Sequence, residues 1–368
     1  MLGYRFLSAS LFIVLFWVTA CGSTTLTSAP PVPSLVLPTL VSPSAPTLAP
    51  TLVSAPTTSA PTEIPTKVAF VVTPTREPTR APGTLTLSPK PSAPTGRIAY
   101  SVVTGNEPKF FTLWVANANG TQPRQILTHA LWPTFSPDGK QIAFFGRPEG
   151  KSEGLYIANA DGGGVTGPHI VGPGVCCMNW SPDGNWIVYA NSPRPNRPGG
   201  PIAIVKMDGT FKTIVNLGVD GNGPAFSPDG KQVVFSGCLP NTNTCGLMIV
   251  PTSGGAPRLI TTDNGGNADW SPRGDKIVYQ ASDGAGHTQV FVVNPDGSGK
   301  RQLTRGTSND GQPVWSRDGS AIFWRSDQNG AAWAIYVMNA DGSSPRKLID
   351  GVPPHPDLWG WESLSVAP

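Results

Sequence analysis

The side chains with the most capacity for chemistry are few. Four histidines occur, His129, His169, His287 and His355, and an imidazole can carry a proton near neutral pH or bind a metal. Carboxylates, amides and indoles that could join them are Asp310, Gln312, Asp357, Trp132 and Trp359. Aromatic faces beside carboxylates and amides suit a glycan or a peptide. His129, His355 and Asp357 are of the ligand types that hold a divalent metal, although no short spacing between them supports such a site, and no cofactor is expected. Motifs of nucleophilic, zinc-hydrolase or phosphate-binding enzymes are absent: there is no Gly-x-Ser-x-Gly, no His-Glu-x-x-His and no phosphate-cradling glycine loop. Whether the histidines and their neighbours meet therefore depends on the elements that carry them.

Those elements are repeats. Trp180-Ser181-Pro182-Asp183-Gly184 returns as Phe135-Ser136-Pro137-Asp138-Gly139, Phe226-Ser227-Pro228-Asp229-Gly230, Trp270-Ser271-Pro272-Arg273-Gly274 and Trp315-Ser316-Arg317-Asp318-Gly319. The five serines are 45, 46, 44 and 45 residues apart, a period that marks a structural repeat. Each phrase spells a tight turn: serine bonds the backbone ahead, proline presets φ, aspartate suits the third place and glycine the strained fourth. An aromatic residue leads in and an apolar run such as Ile142-Ala143-Phe144 leads out, so the turn joins two strands. A second turn of the Asn-Ala-Asp-Gly kind follows in each period, at Gly120, Gly162, Gly209, Gly297 and Gly342, and a short fourth strand comes after most of them. Four strands per period make one propeller blade.

The strand after the first turn recurs at Ile98, Ile142, Ile187, Val233, Ile277 and Ile322, which predicts an all-β, six-bladed propeller of four-stranded antiparallel blades. The first blade takes three strands from residues 97–128, and its innermost strand is expected from residues 358–366, with Trp361-Glu362 one period after Trp315-Ser316. That closes the ring and leaves no free sheet edge at the seam. Trp180, Trp270, Trp315 and Trp361 then read as core. The repeated turns crowd one face. The variable connections, at residues 104–110, 147–153, 192–200, 238–245 and 282–288, form the other, where binding usually resides. All four histidines are expected there, His129, His169 and His355 between blades. Chain order brings Asp310, Gln312, His355, Asp357, Trp359, His129 and Trp132 into one arc around the channel mouth, the candidate ligand site. The alternative is that the polar groups bond local backbone and the indoles cover blade ends.

Aromatic-Ser-Pro-Asp-Gly-Lys-x-Ile-Ala-Phe followed by Ile-Tyr-Val-Met-Asn-Ala-Asp-Gly resembles the WD-like repeat of the TolB propeller family, and is similar to propeller domains of prolyl-oligopeptidase relatives. The resemblance covers residues 96–368. It implies the propeller fold; the functions it brings to mind are varied, because such propellers host many activities. Prolyl-oligopeptidase relatives add a hydrolase domain and TolB proteins an N-terminal α/β domain, and neither is expected here. Lyases on similar propellers hold a metal through several histidines, which the arc would have to supply.

Ahead of the repeats the composition changes. Residues 1–20 carry Arg5 and then Leu11-Phe12-Ile13-Val14-Leu15-Phe16-Trp17-Val18, a run suited to an export signal and short for a membrane span. Val18-Thr19-Ala20-Cys21-Gly22 resembles a bacterial lipobox, which makes Cys21 the expected lipid-bearing residue; an ordinary signal peptide cut nearby, or an uncleaved anchor, are the alternatives. Residues 21–95 hold sixteen prolines between Gly22 and Thr95 among Thr, Ser and Ala, a composition that buries too little apolar surface to fold and reads as a disordered tether. Net charge is +3 with no basic cluster, so nucleic acid is not an expected partner. Beyond Cys21 the cysteines are Cys176, Cys177, Cys238 and Cys245. A bridge between Cys238 and Cys245 would close one inter-strand loop, while Cys176 and Cys177 can form a strained vicinal ring, pair elsewhere or stay reduced. The expectation is a monomeric, lipid-anchored, extracytoplasmic propeller, on the cell surface or in the periplasm, that binds an envelope protein, peptide or glycan. The alternative is a metal-assisted, lyase-like enzyme.

Overall fold

A computed structural model describes residues 94–103, 111–171, 175–191, 200–215, 221–239, 242, 244–328, 332–354 and 363–368. The export signal, Cys21 and the tether lie outside the described residues, as do His355, Asp357, Trp359 and Trp361. No helix of the described residues is long and apolar enough to cross a membrane.

Six four-stranded antiparallel sheets follow one another along the chain. Blade 1 contains β1 (Arg97–Val103), β2 (Phe111–Asn117) and β3 (Arg124–Thr128). Blade 2 runs from β4 (Ala130–Phe135) through β5 (Gln141–Gly146) and β6 (Gly154–Asn159) to β7 (Thr166–Val171). Blade 3 comprises β8 (Val175–Trp180), β9 (Trp186–Asn191), β10 (Ile202–Lys206) and β11 (Phe211–Val215). Blade 4 has β12 (Asn222–Phe226), β13 (Gln232–Cys238), β14 (Cys245–Pro251) and β15 (Arg258–Leu259). Blade 5 has β16 (Gly266–Trp270), β17 (Ile277–Ser282), β18 (Thr288–Val293) and β19 (Arg301–Gln302). Blade 6 has β20 (Asp310–Trp315), β21 (Ala321–Ser326), β22 (Ala334–Asn339) and β23 (Arg346–Asp350). The last strand, β24 (Ser365–Ala367), returns to pair with β1 and completes blade 1.

The turn phrase forms as its chemistry dictates. Gly139 N–H donates to Ser136 O at 2.8 Å. The Ser136 hydroxyl donates to Asp138 Oδ1 at 2.7 Å and accepts Gln141 N–H at 3.0 Å. The same serine–aspartate bond recurs at Ser227–Asp229 and Ser316–Asp318, both 2.6 Å. Blade 5 carries Arg273 in the aspartate position, and there Ser271 donates instead to Asp275 at 2.8 Å. The turns also interlock around the channel: Pro137 packs toward Gly184, Pro182 toward Gly230, Pro228 toward Gly274 and Pro272 toward Gly319.

The core lies within and between blades. Middle strands β5, β9, β13, β17 and β21 are buried almost throughout, as expected for sheets covered on both faces by their neighbours. Phe135, Trp180, Phe226, Trp270 and Trp315 end their inner strands and are all buried. Each inner strand packs on the next around the ring, including β20 on β24 and β24 on β4.

One expectation about the seam is corrected. Register pairs Ile98 with Val366, as it pairs Ile142 with Phe135 in blade 2. Val366, rather than Trp361, therefore occupies the place of the recurring aromatic residue, and among the described residues the closing strand, expected within 358–366, is Ser365–Ala367. The physical reason is local: the Ser365 hydroxyl accepts Phe135 N–H at 2.9 Å, Arg317 Nε donates to Val366 O at 2.8 Å, and Arg97 donates to Gly139 O. These bonds fix the last residues on both sides of the seam.

Candidate functional site

The inner strands run from the variable face to the turn face and enclose a central channel. The five inner strands β4, β8, β12, β16 and β20 each carry a bulge, and the residue three before the terminal aromatic takes a left-handed backbone: Trp132 (φ 52°), Cys177 (φ 57°), Gly223 (φ 54°), Asn267 (φ 46°) and Gln312 (φ 55°). This repeated kink turns successive groups toward the axis. The cavity it encloses measures about 280 Å³ and is lined by residues of all six blades. That is close to the lower end of the ~300–1,000 Å³ of small-molecule pockets.

Polar groups and prolines alternate along the wall. The residue just before each terminal aromatic, or before Val366 in blade 1, is Thr134, Asn179, Ala225, Asp269, Val314 or Ser365. Several clamp the next blade: Asn179 Oδ1 accepts Phe226 N–H at 3.2 Å, Asp269 Oδ2 accepts Trp315 N–H at 2.8 Å, and Thr134 O accepts Trp180 Nε1–H at 3.0 Å. At the turn-side mouth stand Pro137, Pro182, Pro228 and Pro272, and register puts Pro368 in the equivalent place of blade 1. Arg317 is the exception in this ring, an exposed cation at the mouth. Burial pushes the Asp269 carboxyl up to about 6, against the opposing pull of the Trp315 N–H, the Arg317 guanidinium and the Trp270 N–H. The mouth thus pairs one fixed positive charge with one carboxyl that can titrate.

Of the arc expected from chain order, His129, Trp132, Asp310 and Gln312 lie among the described residues, and His355, Asp357 and Trp359 lie outside them. Asp310 and Gln312 were expected in a connection; they are the opening residues of β20, 4 % and 1 % exposed. Gln312 borders the cavity and its N–H donates to Gln280 Oε1 at 2.8 Å. The Asp310 carboxyl is raised by burial, against its bonds to Ser326, Thr304 and Trp324. Trp132 lies within β4, its ring 5.2 Å from that of Phe145, and its backbone N–H donates to the Ser101 hydroxyl. His129 is the single residue between β3 and β4, half-buried, with its carbonyl accepting Arg147 N–H at 2.9 Å. His169 belongs to β7 rather than to a connection. His287 does sit in the loop between β17 and β18, 3.3 Å from Asp283. For Asp310, Gln312 and Trp132 the physical reason is that the bulges of β20 and β4 carry the inner strands past the break in their apolar pattern. Among the described residues no three His, Cys, Asp or Glu side chains gather as metal ligands; His355 and Asp357 lie outside them.

Sequence reasoning missed Asn179, Asp269, Arg317 and Ser365 as channel residues. Arg317 had a visible signal, since it breaks the proline of the turn phrase. The bridge expected between Cys238 and Cys245 has its sulfurs at bonding distance, 1.93 Å, across the open end of the β13–β14 pair.

Comparison with known proteins agrees with the architecture. The family model described as PD40, TolB beta propeller domain, matches residues 260–351. The Tol-Pal system protein TolB of Francisella tularensis is 26 % identical over 206 residues, 54 % of this chain and 46 % of that protein. An uncharacterized peptidase of Bacillus subtilis, YuxL, is 28 % identical over 145 residues, 30 % of this chain and 22 % of that protein. The chain thus spans less than half the length of these curated relatives. Among solved structures, TolB from Acinetobacter baumannii superposes with a TM-score of 0.63 at 21 % identity, covering 76 % of this chain and 68 % of that one. A putative TolB from Agrobacterium tumefaciens gives 0.54 at 18 %, covering 76 % and 100 %. The chain therefore carries a six-bladed β-propeller, similar in fold to the solved TolB structures, with residues 260–351 matching the TolB beta propeller domain.

Proposed function

We propose that the protein is a binding module of a bacterial cell envelope, tethered to the membrane by lipid on Cys21, whose channel mouth receives an extended segment of an envelope protein. The observation that carries this reading is the mouth itself, where Arg317 interrupts an apolar ring of prolines and Asp269 and Asn179 line the wall behind it. Backbone amides and a side chain of an inserted segment find donors, acceptors and apolar walls there. The relatives named as Tol-Pal system proteins support an envelope setting and a protein partner.

The test is affinity isolation of solubilised envelope proteins on the immobilised propeller, with Arg317→Pro as the comparison. Proline is what four other turns carry at this place, so the variant is expected to fold. The reading predicts a retained protein whose affinity falls about tenfold or more in the variant, equivalent to ~1.4 kcal/mol. Equal retention by both chains, or none by either, contradicts it.

A further inference from the structure

Cys176 and Cys177 follow one another in β8, the inner strand of blade 3. In a regular strand successive side chains leave opposite faces, which would hold the two sulfurs apart. The β-bulge beginning at Cys176 and the left-handed backbone of Cys177 break that alternation, and the two thiols are in hydrogen-bond contact. Both residues are buried, 4 % and 5 % exposed, yet Cys177 borders the central cavity. Cys176 Sγ lies 3.9 Å from Asn222 Oδ1 of blade 4, and Gly223 N–H points at the Cys177 sulfur. The kinked backbone is common to the repeat; the cysteine pair on it is particular to blade 3.

We propose that Cys176 and Cys177 form a vicinal dithiol on the channel wall that closes reversibly to a ring disulfide, with a small-molecule or protein disulfide as the oxidant. The Cys177 thiolate attacks the oxidant's S–S bond and releases one thiol. Cys176, after losing its proton, attacks the mixed disulfide and releases the second. Two electrons and two protons pass from the pair to the oxidant, which leaves as two thiols. A trans peptide holds the two Cα atoms ~3.8 Å apart, less than the ~4.4–6.8 Å spanned by ordinary disulfides. The ring is therefore strained, and strained disulfides are readily reduced. That makes the bond convertible rather than permanent. Burial pushes the Cys177 thiol up, as does its bond to Cys176, with Gly223 N–H opposing; the exchange is accordingly slow at neutral pH and speeds up as pH rises.

The experiment equilibrates the native full chain with glutathione buffers of increasing oxidised fraction, then quenches with acid and an alkylating reagent. Mass spectrometry reads the peptide spanning the pair, and melting curves report that the chain stays folded. The expected result is loss of two hydrogens from that peptide with no glutathione attached, in proportion to the oxidised fraction and faster at higher pH. In a chain carrying Cys238→Ser and Cys245→Ser, so that Cys176 and Cys177 are the close thiol pair under test, phenylarsine oxide, which needs two adjacent thiols, is expected to bind one per reduced chain, and binding is expected to be lost on adding either Cys176→Ser or Cys177→Ser. Persistence of two alkylatable thiols across the series, a stable glutathione adduct without ring closure, or arsenical retained after either added substitution overturns the proposal.

Discussion

Removal of residues 364–368 lowers the thermal unfolding midpoint of the propeller by at least about 10 °C. The segment is short but closes the ring. Leu364, Val366 and Ala367 are 6 %, 2 % and 0 % exposed, and burying a Leu or Val side chain is worth ~1.5–3 kcal/mol each. The Ser365 hydroxyl and the Val366 carbonyl add bonds to blades 2 and 6, each net ~1 kcal/mol. The total, roughly 5 kcal/mol, is a large share of the ~5–15 kcal/mol that holds a domain folded, and each kcal/mol moves the midpoint by ~2–4 °C at this size. Gly96→Ala probes the same seam without shortening the chain. Gly96 has φ +95°, and a methyl there would lie 2.1 Å from Ala367 O, so β24 must move away. Calorimetry or circular dichroism of both variants reads the effect. A truncated chain melting within ~2 °C of the intact one would mean that the seam is not closed by β24.

The second large effect concerns pH. Asp269 is raised from 3.8 to about 6, with burial the leading cause. Below about pH 4 the carboxyl is protonated in both folded and unfolded chains, and its contribution to stability is fully present. As pH rises through 6 the folded chain must ionise it inside the channel, and that stability is lost. About two pKa units correspond to ~3 kcal/mol as an upper figure for this half-buried group. Asp269→Asn removes the titration while keeping one oxygen for the Trp315 N–H. The variant is therefore expected to gain on the natural chain by up to ~3 kcal/mol between pH 4 and 7, measured as the difference of their urea-unfolding free energies. A difference that stays flat over this range would contradict the placement of Asp269. The same titration bears on binding, because above pH 6 the ionised Asp269 competes with an incoming acidic group for Arg317.

The fold was legible because it is written in local chemistry, a turn phrase repeated five times and the strand after it six. Serine, proline, aspartate and glycine at fixed offsets make a turn whatever surrounds it, and Ile98 announced a blade whose inner strand had to come from the far end of the chain. The site was less legible, because its position depends on where the inner strands start. Asp310, Gln312 and Trp132 looked like connection residues. Gly311 and Pro313 interrupt the alternation of β20, and the bulge that accommodates them is a tertiary feature. The phase of the closing strand was obscured in the same way. Trp361 matched the recurring aromatic residue in type, but the Ser365 hydroxyl under Phe135 and Arg317 over Val366 select a later register. Arg317 was visible as a break in the phrase, and only the ring of prolines around it shows that the break faces the channel.

The central claim is that partners enter at the turn-side mouth. A photo-crosslinking amino acid in place of Pro272, in a turn position where Arg317 shows that a long side chain is tolerated, probes it in membranes of the producing cell. The control is the same residue in place of Val171, which is 69 % exposed on the outer strand of blade 2. The account predicts a discrete adduct with an envelope protein from position 272 and none from position 171. Adducts from position 171 alone, or from neither position, would contradict it.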